Sequence, residues 1–233
     1  MQTVLSLLSS PWFLVAWAAL MVPCVLWVIR DLATKNAHLM SLMKVVWVLT
    51  VLYSGPLGLL IYRSCGRKEI PRDTLWRRGF RSVAHCYSGC GAGEIVGLLI
   101  AVGLLGLGNI GIAALTFVMA YVAGYALTVG PLVQDGVPFR TALWDAVLSE
   151  TPSIAVMEIV AISVDLAVSG KAGMGEPLFW SSMIVSLTLG LVAAYPVNVA
   201  LIHFGVKEGM MDPRHTHHAE DHDAHGAGAP QTG

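Results

Sequence analysis

Apolar residues run in stretches of about 20, at roughly 11–29, 45–62, 83–106, 110–131, 146–168 and 178–203, the length that carries a helix across a bilayer. Short polar segments separate them. The pattern predicts an all-α polytopic membrane helix bundle of about six transmembrane helices, filling residues 1–210 as one domain. Residues 211–233 differ: they are polar, rich in His and Asp, and predict a disordered tail.

Composition agrees with the pattern. Of 233 residues, 55% are hydrophobic and 12% charged, more apolar than a soluble core of this size requires. Charge adds an orientation. Between the second and third stretches lie Arg63, Arg67, Lys68, Arg72, Arg77, Arg78 and Arg81 against Glu69 and Asp73, so this loop is expected to be cytoplasmic. With six spans both termini then face the cytoplasm, in a bacterial or archaeal inner membrane. Arg30, Lys35 and Lys44 oppose this orientation, because six spans would place them outside. The first stretch lacks a basic leader and a small-residue cleavage site, so it is expected to be a retained helix. Trp12, Trp27, Trp47, Tyr62, Trp144 and Trp180 fall near span ends, as interfacial aromatics do.

Against that background the ionisable residues inside the stretches stand out, since each costs at least about 2.5 kcal/mol at membrane depth. Cys86, Cys90 and Glu94 recur every four positions and share a helical arc of about 80°. Gly89, Gly93 and Gly97 lie in the same sector, which points that face into the bundle or simply packs helices. His85 points about 180° from Glu94, and joins the group only if the helix start is distorted. Glu150, Glu158 and Asp165 share another arc in the fifth stretch. Counting depth places Glu94 between Glu150 and Glu158. Pro196 breaks the sixth stretch beside Tyr195 and Asn198, and the break either lines the same cavity or is an ordinary kink.

Thiols with carboxylates form a mixed soft and hard ligand set suited to copper or zinc. Cys86, Cys90, Glu94, Glu158 and His85 are therefore the candidate metal ligands, with Asp145, Glu150, Asp165, Tyr195 and Asn198 as pathway or proton-relay residues. In the tail, His215, His217, His218, His222 and His225 alternate with acids and form a second candidate metal binder. Two other readings stay open. Cys86 and Cys90 form a redox pair, although C-x-x-x-C on one helix fits disulfide geometry poorly; or the polar groups only join helices, in an accessory subunit. Cys24 and Cys65 lie elsewhere and predict no structural disulfide. Nothing reads as a nucleotide-binding loop, a hydrolase triad or a nucleic-acid surface. So no catalytic residues are assigned, and the expected partners are lipid, a metal cation and a second copy of the chain.

The runs W47-V-L-T-V-L-Y-S-G-P-L-G-L, H85-C-Y-S-G-C-G-A-G-E, A142-L-W-D-A-V-L-S-E-T-P-S-I-A-V-M-E and Y195-P-V-N-V-A-L-I-H-F-G-V-K-E-G-M resemble one family from about Met43 to Met210. It is the group of bacterial and archaeal membrane proteins called domain of unknown function 4396. The resemblance maps onto His85, Cys86, Gly89, Cys90, Gly93, Glu94, Asp145, Ser149, Tyr195, Pro196 and Asn198. The chain departs from it at Glu150-Thr151-Pro152. The resemblance implies a multi-helix membrane protein and no particular activity.

Overall fold

A computed structural model of the chain describes residues 2–134, 136–170, 172–210 and 212–214. Eight α-helices and no strand occur among them: α1 (Gln2–Leu8), α2 (Pro11–Ala33), α3 (Ser41–Ser54), α4 (Pro56–Cys65), α5 (Leu75–Leu98), α6 (Asn109–Gln134), α7 (Phe139–Ser169) and α8 (Pro177–His203). α5 continues through a π-helical turn, Leu99–Leu104. Five helices are long and apolar enough to cross a membrane, α2, α5 with its π turn, α6, α7 and α8. The chain therefore fits a multi-pass helical membrane bundle.

The expected second span is the exception. Residues 45–62 do not form one helix; α3 and α4 meet at Gly55, whose φ of 53° suits glycine alone. Pro56 follows and opens α4, its missing N–H costing nothing at a helix start. The two short helices fold back on each other. Trp47 meets Tyr62 with ring centroids 5.3 Å apart, and Gly66 lies against the Trp47 indole. Trp17 of α2 touches the tip at Gly55, whereas Trp27 packs near the foot on Tyr62. The hairpin thus enters and leaves at one end of the bundle. Backbone that turns at such depth is tolerated where protein buries it.

That end is knotted together by polar contacts. The Asp31 carboxylate accepts hydrogen bonds from Arg67 at 3.0 Å, the Tyr62 hydroxyl at 2.7 Å and Asn36 at 2.9 Å, which ties the end of α2 to the foot of α4. Arg81 at the start of α5 pairs with Asp73 at 2.9 Å and donates to the Met210 carbonyl at 3.3 Å. Arg78 donates to the Glu208 carbonyl, and His38 lies 2.9 Å from the Pro213 carbonyl. The last residues of α2, both feet of the hairpin, the start of α5 and the end of α8 all gather here. Replacing a span by a hairpin changes the parity of crossings, so the Ser10 end of α2 lies opposite the His203 end of α8 rather than on the same side. It also brings Arg30, Lys35 and Lys44 to the end that carries Arg63 through Arg81, which removes the conflict in the charge pattern.

α5 is the central helix. Val83, Ala84, Tyr87 and Cys90 are fully buried, and helices α3, α6, α7 and α8 all pack on it. The glycine stripe faces α6: a Cβ at Gly93 would overlap the Met119 carbonyl, one at Gly97 would lie 2.9 Å from Thr116 Cα, and one at Gly89 would lie 3.1 Å from Gly124 Cα. Here the small residues do pack helices, letting two backbones touch. Ser88 joins α5 to the hairpin by donating to the Val46 carbonyl at 2.8 Å.

Candidate functional site

Because α6 presses on the glycines, the next strip of α5 is turned toward α7 and α8, and it carries the thiols. Cys86 and Cys90 are both buried, with sulfurs 3.9 Å apart, and both are free thiols. The absence of a side chain on Gly124 makes room for them, since a Cβ there would sit 3.2 Å from Cys90 Sγ. Across the gap Ser153 of α7 donates to Cys86 Sγ at 3.6 Å. Ser153 in turn accepts from Asn198 Nδ2 of α8 at 2.5 Å, and Asn198 Oδ1 accepts from Ser82 at 2.7 Å. One hydrogen-bonded string therefore links α5, α7 and α8 at the thiols.

One turn further along α7, Glu158 is fully buried and neither carboxylate oxygen has a hydrogen-bond partner. Glu94 is buried as well, and its Oε2 is unpartnered. Glu158 lies within electrostatic reach of both Glu94 and Cys86. A buried carboxylate without donors is stable only when a proton or a cation neutralises it. Glu94 opens on a cavity of about 30 Å³ shared with Thr116, Ile162, Asp165, Phe179 and Met183, room for a water or a bare ion. Glu94 therefore sits between the levels of Glu158 and Asp165, deeper along α7 than the expected position between Glu150 and Glu158. Asp165 accepts from Ser182 at 2.7 Å and from Ser169 at 3.4 Å, and it also lines a cavity of about 230 Å³ at the far end, with Asn109, Ser169 and Gly173.

Toward the basic end the string continues differently. Glu150 is buried in an ion pair with Lys207, Nζ to Oε2 2.6 Å, and Lys207 also donates to Asn198 Oδ1 at 3.2 Å. Thr128 of α6 donates to Glu150 Oε1 at 3.3 Å and lies 3.4 Å from His85 Nε2. These groups close the inner wall of a cavity of about 570 Å³, at whose rim Asp145 is exposed. His85 does not join the thiols. It belongs to this group, a turn below Cys90 on the basic side.

The candidate residues therefore spread along a track instead of forming one cluster. Among the described residues, no group of three or more His, Cys, Asp or Glu side chains is close enough together to hold a metal ion. Cys86, Cys90, Glu94 and Glu158 occupy the middle, Asp165 the far end, His85, Glu150 and Asn198 the basic end. Tyr195 leaves the track: its ring stacks on Phe80 with centroids 4.0 Å apart, facing a groove beside the hairpin. The tail histidines, His215 to His225, lie outside the described residues. Sequence reasoning missed Ser153, Thr128, Ser182 and Lys207. The first three are ordinary helix-packing residues by composition, and Lys207 lies beyond the last apolar stretch, reached only because Gly205 at φ 71° turns the chain back.

Fold and track together define a multi-pass helical membrane protein with a line of buried ionisable groups between two cavities. Residues 75–207, more than half of the chain, match the family described as Domain of unknown function (DUF4396), and the chain belongs to it. The match spans the track from the start of α5 to Lys207. The α3–α4 hairpin falls outside it, although the sequence likeness was read from Met43. No curated protein and no solved structure matches the chain.

Proposed function

We propose that this protein is a carrier for a soft transition-metal cation of the copper(I) class, bound in transit by Cys86 and Cys90. The observation that carries the reading is the pair of buried free thiols 3.9 Å apart, beside the unpartnered Glu158, on a track that ends in a cavity at either face. Two thiolates are a sufficient set for copper(I), whereas zinc asks for about four ligands. Glu158 and Glu94 supply the negative charge that offsets the ion as it leaves the thiols, and Asp165 passes it to the far cavity. The basic end is cytoplasmic by its Lys and Arg content, the membrane is the bacterial or archaeal inner membrane, and the His-rich tail buffers metal on that side.

The test is copper content of the detergent-purified full chain, prepared with copper(I) under reducing conditions, against Cys86→Ser/Cys90→Ser. One equivalent lost in the variant supports the carrier and justifies flux measurements in vesicles. Equal copper in both rejects it. A Cys86–Cys90 disulfide formed under mild oxidant, with no loss of copper in the variant, would transfer the site to thiol redox chemistry.

A further inference from the structure

Lys207 is a buried cation at a place where the track needs one. Its side chain is 7% exposed, its partner Glu150 3% and Asn198 0%, and it arrives from a non-helical segment after α8 rather than from a helix of the bundle. The segment is held to the bundle from outside, by Arg78 on the Glu208 carbonyl and Arg81 on the Met210 carbonyl. The ammonium stands between the 570 Å³ cavity and the hydrogen-bonded string that runs through Asn198 and Ser153 to Cys86. It donates to a carboxylate and an amide oxygen, while the Thr128 hydroxyl donates to the other oxygen of the same carboxylate and lies 3.4 Å from the His85 ring. His85 is 3% exposed and lines the same cavity, yet its Nδ1 has no partner. A positive charge held by oxygen atoms, next to an idle imidazole nitrogen, has the donor chemistry of a metal site whose place a lysine has taken.

We infer that Glu150, Asn198 and His85 form a second cation site, the mouth of the track, and that the Lys207 ammonium occupies it until a metal cation displaces it. Deepening the carrier reading, this gives the ion a nitrogen and oxygen station before the thiols. The exchange is charge-balanced: one cation leaves Glu150 as another arrives, so the carboxylate is never left bare in a dry interior. It also gives selectivity, since only an ion that binds Glu150 and imidazole better than the tethered ammonium opens the route.

The experiment uses silver(I), a redox-inert stand-in for copper(I), and the full chain carrying Cys86→Ser/Cys90→Ser, so that the thiol site cannot contribute and the outcome does not depend on it. Silver equivalents are compared in that chain with Lys207 present, with Lys207→Leu, and with Lys207→Leu/Glu150→Gln. The tail histidines contribute equally to all three. The expected result is one more equivalent in Lys207→Leu than in Lys207→Leu/Glu150→Gln, with the same equivalent appearing only at higher silver when Lys207 is present. Equal uptake by the two Leu variants overturns the mouth site; an identical titration with and without Lys207 overturns its role as the displaced occupant. Where Lys207→Leu does not fold, Lys207→Gln, whose amide still donates to Glu150, replaces it in both comparisons.

Discussion

Asn198 of α8 and Ser153 of α7 are joined by a buried hydrogen bond of 2.5 Å. The same amide serves Ser82 and Lys207 through its oxygen, so one side chain satisfies groups from α5, α7 and the segment after α8. Replacing Asn198 by Leu strands these groups together. Each buried polar atom left unmade costs about 1–3 kcal/mol. Asn198→Leu is expected to lower the unfolding temperature in detergent well below that of Ser153→Ala, which removes only the bonds to Asn198 and to Cys86 Sγ. A smaller effect from Asn198→Leu than from Ser153→Ala would show that the string is not held by the amide.

Glu158 presents the opposite balance. Both its oxygens are buried and unpartnered, so the group opposes folding and is retained for another reason. Glu158→Leu removes about 1–3 kcal/mol of desolvation cost and fills the same space. The variant is expected to melt higher than the parent and, if the proposed carrier role holds, to lose copper flux in reconstituted vesicles. A lower melting temperature would mean that the carboxylate has a structural partner, and would remove the reason for placing it on the ion path.

Gly93 tests the contact that turns the thiols inward. A methyl group there meets the Met119 carbonyl and Ala120 Cα of α6, backbone atoms that cannot move aside as a flexible side chain would. Gly93→Ala is expected to separate α5 from α6, to lower yield of monodisperse protein and to raise the reactivity of Cys86 and Cys90 toward thiol reagents. Gly103→Ala, with nothing within 4 Å of the added carbon, is the control and should leave both measures unchanged.

Much of this was legible in the sequence because membrane helices are written in length and hydropathy. Five of the six apolar stretches are helices, and the C-x-x-x-C-x-x-x-E period put two thiols and an acid on the buried strip of α5. The second stretch, 45–62, failed for a local reason: length and hydropathy do not register that Gly55-Pro56 permits a reversal, and a hairpin of two short apolar helices has the same hydropathy as one span. Glu94 was misplaced relative to the acids of α7 only in depth, since periodicity fixes angle around a helix and says nothing of which neighbour is opposite at each level. Lys207 was beyond reach, because its burial depends on a turn at Gly205 after the last helix, and a basic residue following an apolar stretch ordinarily lies in water.

The hairpin carries the sharpest expectation about the whole molecule, since it decides on which face each loop lies. With α3 and α4 returning to the end they left, Lys35, Arg72 and Glu208 share one face of the membrane, and Ser9, Gly106 and Gly173 share the other. Six full spans would instead put Ser9 and Arg72 on the same side, with Lys35 opposite. Single cysteines at Ser9, Lys35, Arg72, Gly106 and Gly173, in a chain with Cys24, Cys65, Cys86 and Cys90 all replaced by Ser, can be labelled in intact cells with a membrane-impermeant thiol reagent. The expected pattern is labelling at Ser9, Gly106 and Gly173, with Lys35 and Arg72 labelled only after the cells are opened. Protection of Ser9 together with labelling of Lys35 would reinstate a continuous second span and return Arg30, Lys35 and Lys44 to the outer face, against the charge rule that the hairpin satisfies.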